Sequence, residues 1–123
     1  MDLSAPYILG SYLNNTDDRS VLYEMVKSPI MWEQRIAVVS TLMLIRNGQY
    51  ADTVRLAEML LNTSHDLIQK AVGWMLREVG KRDITVLRDF LDRHHAEMPR
   101  TMLRYSIEKL ASEERRHYLQ TII

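Results

Sequence analysis

The sequence predicts an all-α fold: a right-handed superhelical stack of antiparallel helix pairs, with about seven or eight helices in one domain spanning 1–123. Three observations predict it. Helix-starting and helix-stopping residues recur along the chain while strand alternation is nowhere sustained. The stretches between helical segments are mostly two to six residues, which suits antiparallel neighbours. And a two-helix unit recurs. WEQRIAV at 32–38 aligns with LIQKAVG at 67–73 by a shift of 35, and a further shift of 34 reaches MLRYSI at 102–107. Thr53-Val54 and Thr85-Val86 recur 32 apart in the intervening helices. A helix pair every ~34 residues is the period of a helical solenoid, in which no helix buries its apolar face alone.

The elements follow in order. Ser4 before Ala5-Pro6 offers a cap and an early-turn proline, and the apolar run stops at Leu13 before Asn14-Asn15. Asp17 and Asp18 open a second short helix that Pro29 stops. A long helix then runs from about Ile30 to Arg46 and ends at Asn47-Gly48, a favourable C-terminal pair. A fourth covers roughly Tyr50 to Leu61. Thr63 and Asp66 have capping-box spacing for a helix reaching Val79-Gly80. Asp83 starts a helix ending near His94-His95, Pro99 starts another, and Ser112-Glu113-Glu114 starts the last.

Composition narrows the function. Apolar residues make up 46% of the chain, enough for a core, and 26% are charged. No run of eighteen apolar residues exists to span a membrane, and Met1-Asp2-Leu3-Ser4 does not resemble a signal peptide. The absence of cysteine excludes disulfides, thiolate metal sites and Cys nucleophiles, and fits a cytoplasmic setting. Sixteen Lys+Arg balance sixteen Asp+Glu. As a sum, that argues against an anionic partner. As a distribution, it does not.

In the repeat register, Arg35, Lys70 and Arg104 occupy equivalent positions of three helices. Stacked helices lie roughly 8–10 Å apart, so the three cations form a column on a spacing comparable to that of phosphates. In the central helix Ile68, Val72, Met75, Leu76 and Val79 form the core stripe. Lys70, Trp74, Arg77 and Lys81 follow at i, i+4, i+7 and i+11 on the other side. Cations interleaved with an aromatic suit a surface that tracks a nucleic-acid backbone and stacks on a base. A tryptophan packed between solenoid helices has the same spacing, so both readings of Trp74 stand. Arg35 lies in a helix apolar nearly all round. It must meet a carboxylate from another helix or open onto a phosphate in a groove.

Other chemistry is faint. His94 and His95 point about 100° apart on a helix and lack metal-ligand spacing. His65 and His117 have no evident partners, and the methionines fall at core spacing. There is no Gly-rich phosphate loop, nucleophile elbow or His-Glu-x-x-His. No metal and no cofactor are expected.

Four segments carry a family resemblance. DLSAPYILGSYL, MWEQRIAVVSTLMLIRNGQ, and DLIQKAVGWMLREVGKRD with PRTMLRYSIEKL resemble the DNA alkylation repair family, the AlkD-like glycosylases built from HEAT-like repeats. The most specific parts are KAVGWMLRE and the W-x-x-R whose Arg35 lies thirty-nine residues before Trp74. The resemblance implies a superhelix whose basic concave surface holds duplex DNA and excises cationic alkylpurines such as 3-methyladenine and 7-methylguanine. It implies this without the base flipping usual for glycosylases. It further implies a carboxylate that stabilises the developing oxocarbenium ion and orients water. In the family this carboxylate lies in a W-D-x-x-D-type segment just before the helix matching Pro6–Leu13, which maps it to Asp2. It also places Trp74 at the lesion and Arg35 near the DNA backbone.

The same resemblance matches only the C-terminal half of a longer domain. The upstream helices and the family's Trp four residues before the carboxylate have no counterpart. Asp2 is therefore expected to be poorly positioned and catalysis impaired or absent. Tyr7, Ile8 and Tyr12 are expected to leave an apolar face that promotes self-association. Three functions remain in play: an alkylpurine DNA glycosylase, a non-catalytic DNA-binding remnant, and a helical-repeat scaffold for other proteins.

Overall fold

The computed structural model describes residues 19–119. The expected first helix, Asp17-Asp18 and Asp2 lie outside the described residues. Among the described residues the chain forms seven helices and no strand: α1 Ser20–Val26, α2 Met31–Arg46, α3 Ala51–Met59, α4 Asp66–Arg82, α5 Ile84–His94, α6 Arg100–Ser106 and α7 Ser112–Leu119. They are joined by connections of one to six residues. None is long and apolar enough to cross a membrane.

The even helices form a packed row, with α4 lying against α2 on one side and α6 on the other. α2 also meets α1 and α3, which explains why Ile36, Ala37, Val38, Val39, Leu42, Leu44 and Ile45 are all buried along one helix. A helix enclosed on three sides has no polar face to keep. Its two buried hydroxyls, Ser40 and Thr41, donate back to the carbonyls of Ala37 and Val38 at 2.7 and 2.6 Å. α4 buries Ile68, Val72, Met75, Leu76 and Val79, the predicted stripe, together with Ala71 and Gly73.

The repeat extends to the caps. Ahead of α2, the Ser28 hydroxyl accepts from the Ile30 amide (3.1 Å), and Gln34 Nε2 donates to the Ser28 carbonyl (2.9 Å). Thirty-five residues on, Thr63 accepts from the His65 amide (3.3 Å), and Gln69 Nε2 donates to the Thr63 carbonyl (3.0 Å). Thr63 therefore does not form the expected capping box with Asp66. The extended residue His65 is the N-cap, and Thr63 stabilises the turn two residues before it. Asn47-Gly48 ends α2 as expected, with Gly48 in the left-handed region at φ +78°. Gly80 does not end α4. The helix continues to Arg82, and the glycine lies inside it where Leu87 of α5 presses close. Asp83 then serves as the cap shared with α5, its carboxylate accepting from the Thr85 amide at 3.1 Å.

The odd helices are tied by polar links. Tyr23 of α1 donates to Asp52 of α3 at 2.6 Å, and Arg19 lies 3.5 Å from the same carboxylate. Glu58 of α3 receives Arg93 and His94 of α5 at 3.2 and 2.9 Å. Arg88 of α5 grips Glu114 of α7 through two bonds, and Tyr118 of α7 donates to Asp92 of α5 at 3.0 Å. Burial, reinforced by the carboxylate each donates to, pushes the Tyr23 and Tyr118 phenols up to about 12. A phenol whose folded pKa exceeds its unfolded value of 10 favours folding below that value, and the contribution is lost as pH rises through about 12. Stability is therefore expected to fall between about pH 10 and 12. Alkaline absorbance titration should show two late phenols, with one disappearing in Tyr23→Phe.

Candidate nucleic-acid interface

Where α2, α4 and α6 lie side by side, their outward faces bound an open concavity of about 250 Å³, lined by Arg35, Leu67, Lys70, Ala71, Trp74, Arg77 and Tyr105. Each helix of the row contributes. Arg35 comes from the second turn of α2, and α4 supplies a continuous i, i+3, i+4, i+7, i+10 stripe from Leu67 to Arg77. α6 supplies Tyr105. Gly73 sets the approach of α6. A Cβ placed there would lie 2.5 Å from Tyr105 Cβ and 2.7 Å from the Met102 carbonyl oxygen, so only a glycine lets the helices come this near.

Four of the seven residues anticipated from sequence, Arg35, Lys70, Trp74 and Arg77, thus meet on one surface. Trp74 packs against the core with part of its side chain and also lines the concavity. Arg35 is half-buried and lines the concavity as well. Lys81 is exposed one turn beyond, paired with Glu78 at 3.0 Å. Arg104 faces elsewhere. It is exposed and lines a separate apolar concavity of about 430 Å³ with Ile107, Arg115, Arg116 and Leu119. The residue of α6 that faces the shared surface is Tyr105, thirty-five positions after Lys70 rather than thirty-four. One residue is 100° of helix rotation, so the choice of shift decides which side chain enters.

Lys70 and Arg77 each face an acid: Asp66 stands at helical i, i+4 spacing from Lys70, whereas no local spacing links Glu108 to Arg77. Lys70 pairs with Asp66 at 3.1 Å and Arg77 with Glu108 at 2.8 Å. The hydrogen bond to Asp66, then its charge and the nearby Tyr105, hold the Lys70 ammonium above the ordinary lysine value. Arg77 Nε is buried without a hydrogen-bond partner. Its guanidinium is therefore only partly satisfied by Glu108. The surface offers cations and an aromatic ring, each cation on α4 held by a carboxylate that a competing anion could displace, since such partly exposed pairs are weak in water.

Among the described residues no cluster of His, Cys, Asp or Glu could hold a metal ion. Asp2, the carboxylate that the family resemblance implies, lies outside them. Residues 1–110 match a family model described as DNA alkylation repair enzyme. No curated relative and no solved structure matches the chain.

Proposed function

The chain belongs to the DNA alkylation repair enzyme family, and from that premise we propose that the α2–α4–α6 surface binds duplex DNA carrying cationic alkylpurines and serves their hydrolytic release. The observation that carries the reading is the meeting of Arg35, Lys70, Trp74 and Arg77 on one concavity bounded by α2, α4 and α6. Arg35, Lys70 and Arg77 hold phosphates, and the exposed part of Trp74 lies against the modified base. Lys81, one turn on, extends the positive field, and Arg104 adds to it from the separate concavity that it lines. The family resemblance supports the same placement of Trp74 and Arg35.

The reaction needs little from the protein beyond placement and electrostatics. A cationic 7-methylguanine or 3-methyladenine leaves with the C1′–N bonding pair and departs neutral, so no acid has to protonate it. The sugar becomes oxocarbenium-like, water adds its oxygen to C1′, and a carboxylate takes the proton. Asp2 is the carboxylate proposed for that role. A carboxylate also stabilises the positive sugar electrostatically before the water attacks.

The test has two stages. Binding to duplex DNA should weaken steeply with salt. Each of Lys70→Gln and Arg77→Gln should lower the slope of log K against log salt by roughly 0.9, the value expected for one lost phosphate contact. Release of 7-methylguanine from alkylated duplex, abolished by Asp2→Asn with binding intact, supports catalysis. Salt-dependent binding without release leaves the second reading, a non-catalytic DNA binder. Absence of salt-dependent binding sinks both and leaves the scaffold. Self-association through Tyr7, Ile8 and Tyr12, outside the described residues, is a separate proposal that sedimentation velocity of Tyr7→Ser/Ile8→Ser would test.

A further inference from the structure

Two large apolar side chains on the described surface are half or more exposed without an evident structural reason. Trp32 is 52% exposed and Leu67 50% exposed. They are the same position of the repeat: each is the second residue of its helix, two beyond the N-caps Ile30 and His65. α2 and α4 pack against each other, so the two residues occupy equivalent first-turn positions of neighbouring helices. Ile30, 44% exposed, continues this edge at the start of α2.

Their position relative to the cations gives the edge a meaning. Trp32 is one turn ahead of Arg35, and Leu67 one turn ahead of Lys70, the i, i+3 relation that puts side chains on adjoining patches of one face. Leu67 itself lines the concavity with Arg35, Lys70, Trp74 and Arg77. The arrangement is therefore an apolar edge running parallel to a row of cations, one pair per repeat. A solvated protein surface gains nothing by exposing an indole there. The partner that matches both rows is one whose anionic groups alternate with apolar ones at a fixed offset. In duplex DNA the phosphates border the deoxyribose rings and base edges of the groove. Proteins commonly set apolar side chains against those groups beside their phosphate contacts.

We propose that Trp32 and Leu67 form an apolar edge that seats against the deoxyribose and base edges of the DNA groove beside the phosphates held by Arg35 and Lys70. The inference rests on the DNA-binding reading above and adds a contact that carries no charge. That difference makes it separable. Loss of an apolar contact lowers affinity at every salt concentration alike, whereas loss of a cation changes the salt slope.

The experiment is fluorescence anisotropy of a labelled duplex at four salt concentrations, using the full chain, Trp32→Ala, Leu67→Ala and the double variant. Both side chains are largely outside the core, and circular dichroism checks that the helices persist. The double variant should bind roughly fivefold more weakly with an unchanged slope, while Trp32→Phe, which keeps the apolar edge, stays near wild type. In Trp74→Phe, leaving Trp32 as the one indole, DNA should quench or shift its emission. Wild-type protein that shows no salt-dependent DNA binding overturns this inference together with the DNA-binding reading. DNA binding undiminished in the double variant overturns this inference alone, as does a loss accompanied by a shallower slope. Loss of self-association or of a protein partner with DNA affinity unchanged overturns it equally, by assigning the edge to protein.

Discussion

Gly73→Ala is expected to cost about 2–3 kcal/mol of stability, at the upper end of what overpacking a tight contact usually costs. The added methyl would meet Tyr105 Cβ at 2.5 Å and the Met102 carbonyl oxygen at 2.7 Å. Neither is the loose end of a side chain. No substitution within α6 can remove a backbone carbonyl, so relief requires the whole of α6 to move off α4. Gly80→Ala provides the contrast. Its methyl would run into the Leu87 side chain, which can change rotamer, so the cost should be smaller. Urea unfolding measures both: the midpoint of Gly73→Ala should fall well below that of Gly80→Ala, with similar slopes. Equal midpoints would mean that the α4–α6 contact is not as close as described. Movement of α6 also carries Tyr105 away from Lys70 and Trp74. Gly73→Ala should therefore weaken DNA binding even at temperatures where it remains folded.

The same contact explains which parts of the site could be read from sequence. Spacing within one helix is rigid, so the i, i+4, i+7 relation of Lys70, Trp74 and Arg77 survives folding unchanged, and all three line one concavity. Placement across helices depends on how each helix is rotated. A shift of 34 or 35 between α4 and α6 is nearly indistinguishable in a repeat with few identities. Yet it exchanges Arg104 for Tyr105. Glu108 lies beyond the end of α6, thirty-one residues from Arg77, and no local period links them. Helix ends show a similar division. Asn47-Gly48 stops α2 through its own backbone preference, whereas Gly80 is in α4 because of Leu87, a tertiary neighbour. Thr63 has the composition of a cap, but an extended His65 moves the helix start two residues on. The apolar character of α2 was legible and its cause was not, since three neighbouring helices enclose it.

Removing the acids that hold the α4 cations should strengthen DNA binding. Asp66→Asn with Glu108→Gln is expected to raise affinity on the order of tenfold at low salt. That corresponds to a few-fold for each weak, partly exposed ion pair a phosphate no longer has to displace. Lys70 and Arg77 are present in the wild type but occupied, at 3.1 and 2.8 Å from their carboxylates. Part of the balance between sixteen positive and sixteen negative residues is therefore made locally, by these two pairs. A phosphate arriving at Arg77 exchanges with Glu108 at Nη1, while the unpaired Nε stays buried out of its reach. The double substitution also raises the formal net charge from 0 to +2, which alone would favour DNA. A matched control separates the two effects. Asp89→Asn with Glu97→Gln makes the same charge change on the side where Arg93 and His94 lie. If release of specific cations is responsible, the Asp66/Glu108 variant gains far more than the control, and Lys70→Gln/Arg77→Gln in that background cancels the gain. Equal gains from the two variants would reduce the effect to net charge and remove the assignment of phosphates to Lys70 and Arg77.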